Sequence, residues 1–155
     1  MSALKSLQIA LELATRQRDD SGRAMVEERR LCMVARDQLE QLESYFRETR
    51  DRWALGARTS ASAETIRHCE LFMQRLQQAT GLQQSAVAQR ERELEAARRR
   101  LLAAEIRIAS LQKLLARRRS SASRQDARRV QKELDEFAAL QQRRLQSTIQ
   151  TMGTL

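Results

Sequence analysis

A chain of 155 residues with no proline, four glycines, 3% aromatic and 32% charged side chains has little to break a helix and too few large apolar groups for a thick core. What it can bury is a narrow stripe, which excludes a compact aromatic-cored domain and points to one elongated helical domain over residues 1–155. The formal charge of +9 raises nucleic acid as a partner, but residues 1–57 carry ten basic and ten acidic groups, residues 58–116 ten and six, and residues 117–155 nine and four, so the excess is arginine interleaved with Glu and Gln rather than a basic patch.

The first third carries apolar residues at alternating steps of three and four, the period of a coiled-coil seam. With Leu4 at heptad position a, the a series is Leu4, Leu11, Arg18, Met25, Cys32, Leu39, Phe46 and Trp53, and the d series is Leu7, Ala14, Ser21, Glu28, Ala35, Leu42 and Thr49. Eleven of these fifteen positions are apolar, which predicts a first helix over about residues 3–57. The pattern stops near Gly56, a residue suited to a helix C-terminus. Ser60 or Ser62 suits the N-cap of a second helix, with Glu64 favourably placed in its first turn. The loop is therefore expected at about residues 58–62 and the second helix at about 63–150.

The second seam places Ile66, Met73, Thr80, Val87, Leu94, Leu101, Ile108 and Leu115 at a. Cys69, Leu76, Gln83, Arg90, Ala97, Ala104, Leu111 and Arg118 fall at d. Two seams joined by a short loop fold back on each other, giving an all-α, two-helix antiparallel coiled-coil hairpin with a longer second helix. A loop centred near Ala61 makes facing residue numbers sum to about 122. On the flanking e positions, that register brings Arg29 near Glu91 and Arg50 near Glu70. Cys32 then lies near Arg90, and Cys69 near Thr49 or Trp53. The thiols sit turns apart, as packed and reduced seam residues rather than a disulfide.

The first helix runs out of residues opposite Arg118, so the second is expected to overhang unpaired from about residue 119. A new stripe begins there, through Val130, Leu134, Phe137, Ala138, Gln141, Leu145 and Ile149. An amphipathic helix without a partner in its own chain implies one elsewhere. Val130, Leu134 and Phe137 are the candidate apolar contacts, and Arg128, Arg129 and Lys132 the candidate partners for acidic groups on that surface.

No constellation meets the geometric requirements of catalysis. His68 is the single histidine and reads as a surface residue, which leaves no multi-histidine metal site, and no glycine-rich phosphate loop exists. No cofactor, metal or catalytic residue is expected. No apolar run approaches the ~20 residues needed to cross a bilayer, and nothing resembles a signal peptide, so a soluble protein of a reducing compartment, without direct membrane insertion, is expected. One feature exceeds a plain coiled coil. The g flank carries Leu31, Gln38 and Tyr45 on the first helix and Phe72, Ala79 and Ala86 on the second. A two-helix pair cannot bury this flank fully. Tyr45 and Phe72, above Leu42 and Leu76, form either a widened seam or an exposed protein-docking patch.

Three stretches resemble the FliJ family, the coiled-coil stalk protein of the flagellar type III export apparatus. The first is Arg29-Arg30-x-Cys32-x-x-Ala35-x-x-Gln38-Leu39-x-x-Leu42-x-x-Tyr45-x-x-Glu48-x-Arg50; the second is Phe72-x-x-x-Leu76-x-x-Ala79; the third is Gln131-Lys132-x-x-Asp135-Glu136-Phe137-Ala138. The resemblance implies a fold like the central stalk of rotary ATPases, held at the cytoplasmic face of the inner membrane. It implies three partners: the export ATPase hexamer, entered by the open end of the hairpin; the cytoplasmic domain of the export gate protein; and substrate-specific export chaperones. Carried over by motif, the gate-contact residues are Gln38, Leu42, Tyr45, Phe72, Leu76 and Ala79. The competing classes are an injectisome stalk or generic coiled-coil scaffold, which would share the hairpin, and a basic nucleic-acid binder, whose affinity would fall steeply with salt.

Overall fold

The computed structural model describes residues 2–56 and 62–154, and these form two helices: α1, Ser2–Gly56, and α2, Ala63–Met152. The expected loop lies outside the described residues except for Ser62. That residue is the N-cap of α2: its Oγ accepts the Thr65 backbone N–H at 3.2 Å, and its carbonyl accepts the Ile66 N–H at 3.1 Å. Glu64 adds a negative charge to the first turn, where the helix dipole favours it.

The helices form an antiparallel hairpin whose core is the seam read from the sequence. Among the described residues, the ten buried apolar ones all occupy a or d positions: Ala14, Cys32 and Ala35 on α1, and Cys69, Leu76, Val87, Leu94, Ala97, Ile108 and Leu115 on α2. Both cysteines are free and buried. Burial pushes the Cys69 thiol up from its ordinary value, and the neighbouring Glu70 charge adds to the effect. Thr80, a hydroxyl at an a position, is satisfied within its own helix by donating to the Leu76 carbonyl at 2.9 Å.

By packing the chain divides into two compact units. Ala14–Arg107 contains the hairpin's cross-helix contacts. A Cβ on Gly22 would lie 4.0 Å from Leu101, Gln83 reaches Ala35 and Gln38, and Tyr45 meets Phe72. These pairs sum to between 117 and 123, against an expected register of about 122. In the other unit, Met1–Leu13 with Ile108–Leu155, Leu4, Leu7 and Leu11 are half-buried and Ile108 and Leu115 are buried. Every described residue from 123 onward is exposed.

The charge pairs differ from expectation. Glu91 accepts Arg36, not Arg29, at 3.0 Å, and Arg50 lies 3.6 Å from Asp51 rather than pairing with Glu70. The tilt of the side chains favours this choice. Every helical side chain leans toward the N-terminus of its own helix. In an antiparallel pair the lean brings two side-chain tips closest when their numbers sum to somewhat more than the backbone register, though large side chains also meet below it, as Tyr45 and Phe72 do at 117. Arg36 and Glu91 sum to 127 and lean together, whereas Arg29 and Glu91 sum to 120 and lean apart. Arg29 instead directs its guanidinium to Met25 Sδ at 3.5 Å.

Candidate partner-binding surfaces

On the g flank of the hairpin, α1 presents Gln38, Leu42 and Tyr45 at steps of four and three, and α2 presents Phe72, Leu76 and Ala79 at the same steps. The antiparallel register brings the two sets together. The Tyr45 and Phe72 rings meet edge to face, with centroids 6.1 Å apart and planes at 86°. They remain 49% and 42% exposed, so the pair is organised by the fold without being absorbed into it. Leu76 is buried at 7%, Leu42 and Ala79 are half-buried, and Gln38 is exposed. The six residues thus grade from seam to solvent.

The sequence reading missed the residue that ties down one end of this surface. Gln83, a seam d residue, donates from Nε2 to the Ala35 carbonyl at 2.9 Å and to Gln38 Oε1 at 3.3 Å. Its place in the seam among apolar neighbours was the available signal, because an amide there needs a partner. A second polar seam pair was missed for the same reason. Arg90 Nη1 lies 4.0 Å from Glu28 Oε2 and 3.1 Å from Glu93. Glu28 Oε2 is buried and has no hydrogen bond among the described residues. The opposite, e flank is polar, with a furrow of about 560 Å³ between Glu43, Phe46 and Arg47 on α1 and Gln77, Thr80, Gly81 and Gln84 on α2. Among the described residues, no group of three or more His, Cys, Asp or Glu side chains could hold a metal ion. No helix there is long and apolar enough to cross a membrane.

The second surface lies on α2 past the seam. Val130, Leu134 and Phe137 are each more than half exposed, and Arg128, Arg129 and Lys132 are exposed beside them. Among the described residues no ion pair engages these three cations. The six residues share one helix and none of them is buried.

Compared with known proteins, residues 3–147 match the model of the family described as the flagellar FliJ protein. No curated protein and no solved structure matches the chain.

Proposed function

The chain belongs to the flagellar FliJ family, and so to the flagellar protein export apparatus, and from that membership we propose that it is a non-enzymatic coupling stalk with two docking surfaces. The patch of Gln38, Leu42, Tyr45, Phe72, Leu76 and Ala79 binds the cytoplasmic domain of the export gate protein. The exposed segment with Arg128, Arg129, Val130, Lys132, Leu134 and Phe137 engages the export ATPase hexamer. Export chaperones are further clients, and the working location is the cytoplasmic face of the inner membrane.

The observation that supports this reading most is the exposed Tyr45–Phe72 pair. Two aromatics held in fixed geometry across two helices and left half in water are what a protein hot spot requires, since little ordering entropy is then lost on binding. The basic second surface suits an acidic groove, with affinity that falls as salt rises.

The test replaces Tyr45 and Phe72 by alanine together. Helicity and the seam's cooperative unfolding should persist, because neither side chain is a seam residue. Capture of the gate protein's cytoplasmic domain should fall at least about tenfold, as expected for paired aromatic anchors. Unaltered gate capture by a folded double variant would remove the patch from the interface.

A further inference from the structure

In the exposed patch of the g flank, the hydrogen bonds of one amide fix the direction of the next. Gln83 is half-buried at a seam d position, and its side chain reaches the main-chain carbonyl of Ala35 at 2.9 Å. A carbonyl oxygen only accepts, so the end of the Gln83 carboxamide at that contact is its NH2 group. That NH2 group only donates, and its second contact is the Gln38 side chain at 3.3 Å. Gln38 therefore meets it with Oε1, and the Gln38 NH2 group is turned away from Gln83. Both amide orientations thus follow from the main-chain acceptor, whose chemistry allows one choice.

Gln38 is exposed, and among the described residues its Nε2 donates no hydrogen bond. At this level of α2 the flank positions are Ala79 and Ala86, whose methyl groups offer it no acceptor. The stretch of α2 from Leu76 to Gln89 carries no charged side chain. On α1 the arginine nearest to Gln38 in sequence, Arg36, is engaged by Glu91 on the opposite flank. A carboxylate brought here would lose water without gaining a cation, whereas an uncharged carbonyl loses far less.

On the reading of the patch as the gate-protein contact, we infer that Gln38 is its directed donor, positioned by Gln83, and that the docked partner meets it with an uncharged carbonyl oxygen. Gln83 acts through Gln38. A carboxamide held in place before docking has little rotational freedom left to lose on binding.

Capture of the gate protein's cytoplasmic domain by the intact chain tests this with three variants. Gln38→Glu keeps the acceptor that Gln83 needs but turns an oxygen outward, and should lower capture at least about tenfold. Gln38→Ala should lower it about fivefold, equally in low and high salt, because no ion pair is lost. Gln83→Leu places an apolar residue in the seam, so the unfolding midpoint should hold, yet capture should fall about threefold as Gln38 is set free. Nitrogen relaxation of the Gln38 NH2 group in the free protein should show it rigid in the unaltered chain and mobile in Gln83→Leu. Undiminished capture by Gln38→Glu, when Tyr45→Ala with Phe72→Ala abolishes it, overturns the donor assignment alone; undiminished capture by both overturns the patch reading itself. A Gln38 NH2 group equally mobile with and without Gln83 removes Gln83 from the positioning role. A Gln38→Ala loss that vanishes in high salt overturns the uncharged acceptor.

Discussion

Residues 69–115 and 123–152 belong to one continuous helix, yet the first stretch holds seven buried side chains and the second none. Both are rich in arginine and glutamine. What separates them is period and partner. The first repeats every seven residues and faces a second heptad seam on α1, while the second loses that phase and, among the described residues, buries no side chain. Helical propensity alone therefore shapes both stretches, but only one of them turns shape into burial. The comparison shows how a single element can be scaffold along one part of its length and interface along another.

Truncating equivalent leucines should expose the contrast most sharply. Leu94→Ala, at a 5% exposed seam position, should cost about 3 kcal/mol in chemical denaturation followed by helicity, while Leu134→Ala in dilute chain should stay within about 0.5 kcal/mol. Equal losses would mean that the second stretch packs against its own chain. Hydrogen exchange reads the same contrast residue by residue. In dilute free protein, amides of 123–150 should open at little free-energy cost, and those around Cys32, Ala35 and Val87 only near global unfolding. Adding the export ATPase hexamer should slow exchange in the first group alone.

Smaller effects probe the borderline surfaces. Phe72→Ala should lower stability by about 1 kcal/mol, the scale of an edge-to-face aromatic pair, placing Phe72 between seam and solvent. Arg36→Ala should cost about 0.5 kcal/mol or less through the exposed Glu91 pair, a loss that vanishes in high salt. The slightest effect is one of pH. The Cys69 thiol titrates higher in the folded chain than in the unfolded one, so the native state holds its proton longer. That contribution to stability is complete below the unfolded thiol's pKa and declines as pH rises toward the folded value. Cys69→Ala should remove this alkaline slope from the unfolding free energy.

The hairpin was legible because its seam repeats a simple period, and a and d positions account for every buried apolar residue from Ala14 to Leu115. The approach of Tyr45 to Phe72 was legible too, since register and heptad phase together decide which flank positions meet. Side-chain reach was not. Heptad letters place Arg29 and Glu91 together but do not resolve the reach of each side chain, and Glu91 pairs with Arg36. Nor did they reveal the Gln83 bond to the Ala35 carbonyl, because a heptad describes side chains facing side chains and this acceptor is main chain. The stripe beyond residue 123 was visible as apolar, and the loss of the seam's phase there already marked it as unpaired with α1.

The Gln83–Ala35 bond also bears on mechanics. Apolar heptad layers are nearly interchangeable, so a slip of one helix past the other by a full heptad would leave most of them filled and meet little resistance. Backbone carbonyls recur along α1, but the second acceptor of the Gln83 carboxamide, Gln38 Oε1, is replaced by Leu31 or Tyr45 seven residues away, so the slipped pair would lose that bond. Gln83 thus works as a locating pin between two otherwise self-similar surfaces. Load applied along one helix would pass to the other at this level, where these two bonds oppose sliding.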